Sequence, residues 1–487
     1  MNHEILALEP QILWKNFREL TLIPRPSKHE AKIIQFMLDW AKARNLEAFT
    51  DKIQNVIIRK PATAGFENRK GVILQAHLDM VPQKNSDKVH NFETDPITTI
   101  IDGEWVRADK TTLGSDNGIG AAAAMSVLES TDLQHGPIEA LFTIDEETGM
   151  TGAFNLEAGI LQGEILLNLD SEDEGELYIG CAGGVDANGS TKYIAKDVPE
   201  DSKAYTLKIS GLKGGHSGID IPLQRGNANK LIFRFMQKAA QEFKLRLSSV
   251  EGGNMRNAIP REAVAVVTVP SAKSEAFLEA VRKYEELIKF ELRAVEPNLV
   301  FEATHSKLPK NVLSKSDANT LFATIRALPH GPVRFLDDQK SIPESSTNLG
   351  IVKVQKGEIS IANLVRSSSE SQKDDLTCRI LSIFKLAGYE AETVGGYPGW
   401  QPNFDSPILE TMKKVYKKKF GKIPEVKIIH AGLECGILGS IYTNWDMISF
   451  GPTIRHPHSP DEKVNIATVG KFWTYLVETL KQIPQKS

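Results

Sequence analysis

Gly71-Val72-Ile73-Leu74-Gln75-Ala76-His77-Leu78-Asp79 is an almost unbroken apolar run that ends on an imidazole and a carboxylate. Runs of this kind belong to strands buried on both faces of a sheet, the situation of parallel strands covered by helices. His77 and Asp79 stand two residues apart and point the same way along the strand, so Asp79 is placed to orient the His77 ring and fix its tautomer. A lone histidine here reads as core. At the C-terminal edge of a parallel sheet, where open α/β folds bind ligands, the pair reads as functional.

Two more apolar runs end in the same manner. Residues 138–144 lead into Asp145-Glu146-Glu147, and residues 164–169 lead into Asp170. Between the first two strands, Leu113-Gly114-Ser115-Asp116-Asn117-Gly118-Ile119-Gly120 opens an alanine-rich helix. An N-cap is the plain role for Asp116. Close packing of helix on sheet accounts for Gly118 and Gly120, which lack the third glycine of a dinucleotide fingerprint and the lysine of a P-loop. Strand, helix, strand at this pitch, with right-handed crossovers, brings the strand ends to one edge. Alone, Asp-Glu-Glu is a solvated acidic turn; crowded at that edge, the carboxylates call for a cation between them.

A chain of 487 residues holds two or three domains. Its 41% hydrophobic and 25% charged residues are ordinary globular values. With 58 Lys and Arg against 62 Asp and Glu, a net charge of -4, no general basic field recruits nucleic acid. No apolar run reaches membrane-span length, and the first ten residues lack the basic and apolar regions of a signal peptide. Cys181, Cys378 and Cys435 are odd in number and far apart, which suits a reducing cytoplasm and makes no zinc ribbon. The expectation is a cytoplasmic protein without membrane or nucleic-acid partners.

Helices are expected over residues 12–20 and 30–45, and a hairpin around Asp102-Gly103. Gly183-Gly184 reads as a bend and puts a domain boundary near 185–187. An α+β segment follows, with strands at 205–210, 245–250 and 263–269 and helices at 227–243 and 274–293. A similar pattern returns over 311–395 and hints at an internal duplication. The chain re-enters its first domain near residue 400, through a helix at 407–420 whose basic end, Lys417-Lys418-Lys419, complements a helix C-terminus. A strand at 447–450 precedes His456-Pro457-His458-Ser459-Pro460-Asp461-Glu462.

The motifs His77-Leu78-Asp79, Leu113 to Gly118, Asp145 to Gly149, Asn168-Leu169-Asp170, Gly214-Gly215-His216-Ser217-Gly218 and His456 to Glu462 together resemble the M20 family of metallopeptidases, within it the aminoacyl-histidine dipeptidase branch. The resemblance implies an α/β catalytic domain with a mostly parallel sheet flanked by helices, built from residues 1–186 and 400–487. An α+β lid, residues 187–399, interrupts it and forms a homodimer. It implies two divalent metal ions, zinc with cobalt or manganese as alternatives. Asp116 bridges them, His77 and Asp170 complete one site, and Glu147 and His458 complete the other. Glu146 is then the general base and Asp79 the partner of His77. His456 is passed over, because the family's ligand stands immediately before Ser-Pro-Asp-Glu. His216 matches the lid histidine that holds the oxyanion, from the same or a partner subunit, and Asn257 and Arg366 match positions that hold the substrate's C-terminal carboxylate. Glu434 is left without a role.

The activity implied is hydrolysis of unblocked dipeptides, Xaa-His dipeptides such as β-alanyl-histidine among them. Two alternatives stand beside it: an N-acyl-amino-acid deacylase or carboxypeptidase on the same site, and a non-catalytic peptide- or metal-binding protein. An intact Glu146 argues against the latter, since binding alone needs no base.

Overall fold

The computed structural model describes residues 4–337 and 341–486. By packing the chain divides into two compact units. Met1–Gly180, Pro402–Ile428 and Leu433–Ser487 make the first, and Cys181–Gln401 with Ile429–Gly432 make the second.

Among the described residues the first unit carries an eight-stranded sheet in the order Glu47–Thr50, Val56–Lys60, Ile138–Thr143, Val72–His77, Ile165–Asn168, Asp446–Ser449, Glu176–Cys181, Glu425–Ile429. The four strands from Ile138–Thr143 to Asp446–Ser449 run parallel. Pairings toward the flanks are antiparallel, so the expected parallel sheet is parallel at its centre. That centre is where the sequence is most apolar: Val72–His77 and Ile138–Thr143 are buried at every position. The helix Ser115–Glu129 lies between the helix Gln11–Thr21 and the strand Val72–His77. It is buried all round, and its alanines, Ala121 to Ala124, let both neighbours approach closely.

The second unit resolves the hint of duplication into topology. Ser202–Ser210, Ala228–Glu242, Arg246–Gly252, Ala263–Pro270, Ser274–Glu291 and Val300–Ser306 form a βαββαβ half. Gly183–Lys192, Lys315–Ala327, Pro343–Gln355, Glu358–Ser367, Glu370–Leu386 and Glu390–Tyr397 form another. In each, the fourth strand is an edge, followed by the first, third and second, and the two second strands pair antiparallel to join the halves in one sheet. The second half takes its first strand from before the first half, where a pattern over 311–395 could not reveal it.

The bend expected at Gly183-Gly184, and the boundary near 185–187, fall inside the continuous strand Gly183–Lys192. These glycines serve contact rather than a turn. A Cβ on Gly183 would lie 2.5 Å from the Gly399 nitrogen and the Tyr397 carbonyl, and one on Gly184 would lie 2.8 Å from the Tyr397 ring. The chain changes unit between Gly180 and Cys181 instead.

Candidate metal centre

Parallel register decides which residues of the first unit meet. His77 ends its strand opposite Thr143, and Gln75 stands opposite Asn168. Adjacent strands therefore deliver His77, the Asp145-Glu146-Glu147 turn and Asp170 to one edge. Asp116 arrives at the start of Ser115–Glu129 in an extended conformation, φ -82° and ψ 109°. It does not act as the expected N-cap, because both its oxygens face imidazoles: Oδ1 is 3.2 Å from His77 Nε2 and Oδ2 is 3.1 Å from His458 Nε2. His458 lies in the turn between Ile454–Arg455 and Lys463–Asn465, and the latter strand pairs with Trp105–Ala108, just ahead of Asp116. This small sheet is what brings positions 116 and 458 together.

Two groups of donors share Asp116. His77, Asp116 and Asp170 form one and Asp116, Glu147 and His458 the other, with one ligand atom from each residue within 4.8 Å of the rest. His77 Nε2 is 3.5 Å from Asp170 Oδ1, and His458 Nε2 is 3.0 Å from Glu147 Oε2. Glu147 Oε1 and Asp170 Oδ1 are buried without a hydrogen-bond partner. Imidazoles and carboxylates without thiolate, with orphaned acceptors turned inward, fit divalent metal ions. Glu146 groups with His77 and Glu147 rather than with Asp116, and His456 joins none of these groups.

The electrostatics describe a site short of positive charge. Burial works against a charged His77, but Asp170, Asp116 and Asp79 together hold its pKa well above the ordinary value. Hydrogen bonds to Asp116 and Glu147 push His458 up to about 11. Burial opposes ionisation of Asp116, yet the two histidines beside it keep its pKa below the usual carboxylate range. Burial raises Asp170 to about 7 and also lifts Glu146, whose carboxylate neighbours include Asp170, Glu434 and Glu147. Burial, then Asp116 and Asp170, raise Glu172 to about 8. Protons fill part of this deficit, and a bound cation would displace them.

The supporting residues carry more contacts than the sequence reading gave them. His77 Nδ1 is 3.1 Å from the main-chain oxygen of Asp79 and 3.4 Å from its carboxylate. The Asp79 carboxylate accepts from the backbone N–H groups of Glu146 at 3.0 Å and Glu147 at 3.2 Å, and from Ser27 Oγ at 2.8 Å. Asp145 is buried and accepts from Thr148 and Thr151, which fixes the turn from its other side. Glu434 is buried, with Oε2 accepting from Gln75 Nε2 at 2.6 Å and Thr143 Oγ1 at 2.8 Å while Oε1 has no partner. Arg25 and Glu172 carry no periodic or motif signal that singles them out, and Glu462 ends the His456 to Glu462 motif with no role given to it by the sequence.

In the second unit, His216 Nδ1 accepts from the N–H groups of Gly218 at 3.2 Å and Ile219 at 3.0 Å, which leaves the ring proton on Nε2. Burial, then the Arg366 charge, push its pKa down to about 4, so the ring is neutral at pH 7. Arg366 Nη2 lies 3.5 Å from that Nε2, so two nitrogen donors stand side by side. Arg366 also donates to Tyr397 Oη at 2.7 Å and Ser217 Oγ at 3.3 Å. Asn257 is exposed and lines, with His216, Met255 and Arg261, a cavity of about 830 Å³. Its carbonyl accepts from Ser217 N at 2.9 Å, which ties it to the same loop. Ser217 stands in the Gly214 to Gly218 motif with no role given to it by the sequence, and nothing in the local pattern marked Tyr397.

Residues 73–482 match the family model described as Peptidase family M20/M25/M40. The chain is 47% identical over 483 residues to the cytosol non-specific dipeptidase of Escherichia coli, which covers 99% of this chain and 100% of the relative. The crystal structure of aminoacylhistidine dipeptidase from Vibrio alginolyticus matches with a TM-score of 0.93 and 46% identity over 99% of each chain. Aminopeptidase PepT from Bacillus cereus matches with a TM-score of 0.56 and 16% identity over 98% of this chain and 99% of that one, a likeness of fold. With the family model spanning most of the sequence and this identity over nearly its full length, the chain belongs to peptidase family M20/M25/M40.

Proposed function

We propose that this chain is a metal-dependent dipeptidase that hydrolyses unblocked dipeptides, Xaa-His dipeptides such as β-alanyl-histidine among them. The observation that carries this is Asp116 shared by two ligand groups, with Glu146 beside them and outside both. In this reading His77, Asp116 and Asp170 hold one ion, and Asp116, Glu147 and His458 hold a second. Zinc is the assigned metal, and cobalt or manganese suits the same donors. When bound, the ions supply acidification of a water and polarisation of the peptide carbonyl. Glu146, whose carboxyl burial makes more basic, takes the water's proton and passes it to the leaving amine. Asp79 fixes the turn that presents Glu146 and Glu147. His216 donates from Nε2 to the oxyanion, and Arg366 with Asn257 holds the terminal carboxylate.

The names of the Escherichia coli and Vibrio relatives support dipeptides as substrates. No helix among the described residues is long and apolar enough to cross a membrane, and a relative named as cytosolic supports a cytoplasmic location. The exposed edge strand Glu390–Tyr397 supports a homodimer formed through the second unit, our lid domain. The test is a panel of free dipeptides and their N-acetylated counterparts, assayed after chelation and readdition of defined metals. Metal-dependent turnover of the free dipeptides is expected. Preference for the blocked substrates would replace this reading with a deacylase or carboxypeptidase.

A further inference from the structure

We infer that Arg25 and Glu462 form one clamp that fixes the backbone of residues 113–116, and through it the carboxylate of Asp116. Both are positioning residues that act without touching substrate. The inference rests on the reading of Asp116 as a ligand shared by two ions.

Glu462 is 2% exposed, and among the described residues the hydrogen bonds of its carboxylate reach this loop. Oε2 accepts from Leu113 N at 2.8 Å and Gly114 N at 3.0 Å. Oε1 accepts from Ser115 N at 2.7 Å, Ser115 Oγ at 2.6 Å and Asp116 N at 3.3 Å. One carboxylate that gathers four consecutive N–H groups leaves their peptide planes little freedom. Arg25 is 3% exposed and holds the same loop through a carbonyl. Its Nη2 donates to Gly114 O at 2.5 Å, and its Nη1 donates to Leu78 O at 2.8 Å and Asp79 O at 3.1 Å. Arg25 therefore ties the loop of Asp116 to the strand end that presents His77. Gly114 is held at both polar groups, its nitrogen by Glu462 and its oxygen by Arg25.

The glycines of Leu-Gly-Ser-Asp-Asn-Gly acquire a role from this clamp. A Cβ on Gly114 would stand 2.7 Å from Arg25 Nη2, and one on Gly118 would stand 2.6 Å from the same atom. Gly118 makes room for the guanidinium, where the sequence suggested packing of helix on sheet. Gly114 also adopts φ 69°, which favours glycine. A carboxylate that faces His77 with one oxygen and His458 with the other tolerates little rotation, so a held loop is what such a ligand requires.

The experiment measures metal dissociation constants by competition with a chromophoric chelator, using zinc and cobalt on the full chain, alongside kcat and KM for a free dipeptide. Arg25→Met and Glu462→Gln are expected to weaken metal binding by about 10- to 100-fold, with KM unchanged once metal saturates. Arg25→Lys should recover part of the loss. Gly118→Ala, which displaces an intact Arg25, should act in the same direction. Ser115→Ala removes one hydrogen bond of the clamp and leaves the backbone alone, so it decides the question if the stronger variants do not fold; a several-fold weaker metal affinity is expected. Wild-type metal affinity in the folded variants would overturn the clamp while leaving the proposed dipeptidase intact. A wild-type protein that binds no metal would overturn both.

Discussion

Asp79→Asn separates two ways in which this carboxylate can act. If its main task were to orient His77, an amide oxygen would still accept from the ring and the substitution would be nearly silent. His77 Nδ1, however, is closer to the main-chain oxygen of Asp79, at 3.1 Å, than to its carboxylate, at 3.4 Å. The carboxylate's shorter contacts are to Glu146 N at 3.0 Å, Glu147 N at 3.2 Å and Ser27 Oγ at 2.8 Å. Asparagine has one oxygen to share between the two N–H groups. With that oxygen on Glu146, its amino group faces the Glu147 N–H, and Ser27 reverses its hydroxyl to accept. One part-buried N–H is orphaned, at about 1–3 kcal/mol, and the surviving bond loses its charge assistance, roughly 1 kcal/mol more. A loss of about 2–4 kcal/mol in local stability corresponds to about 30- to 1000-fold faster amide exchange in the turn. Hydrogen–deuterium exchange followed on peptides spanning residues 144–150 reads this directly. A fall in kcat of about tenfold or more should accompany it, because the proposed base and a proposed ligand ride on that turn. Unchanged exchange and unchanged kcat in Asp79→Asn, with losses confined to Asp79→Ala, would refute the reasoning.

Other outcomes are open to simpler tests. Glu146→Gln should retain its metal by elemental analysis while kcat falls by about 100- to 10000-fold; a variant as active as the parent would remove Glu146 as the base. Asp170→Ala and Glu147→Ala should each halve the bound metal, whereas Asp116→Ala should lose both ions, and equal losses in all three would argue against a shared ligand. His430 is buried, 2.7 Å from Ser346 Oγ through Nε2, and burial, then the Arg366 charge, lower its pKa to about 3. The unfolded chain binds a proton there near the ordinary 6.5, so the stability His430 confers is whole above that pH and is lost as pH falls toward 3. The loss approaches about 1.4 kcal/mol per pH unit. His430→Gln should flatten the acid side of the denaturant-midpoint profile, and an unaltered profile would contradict the assignment.

His77, Glu146, Glu147 and Asp170 were legible in the sequence because each follows directly on an apolar strand, and strand period and burial are local properties of the chain. The two βαββαβ halves were half legible for the same reason. Periodicity marks elements, but the order in which strands pair depends on contacts across hundreds of residues, and the first strand of one half stands before the whole of the other. The six motifs, taken together, pointed to the family that comparison with relatives supports along nearly the whole chain. No local pattern joins Asp116 to His458, 342 residues apart; the pairing of Trp105–Ala108 with Lys463–Asn465 does so. Arg25 and Glu462 had no role in the sequence reading and are buried against the loop of residues 113–116, and Gly118, read as helix packing, leaves room for a guanidinium. The sequence by itself therefore determined which strands end in candidate ligands. The tertiary structure decided what holds those side chains in place, because a hydrogen bond depends on where two backbones meet and leaves no period in either.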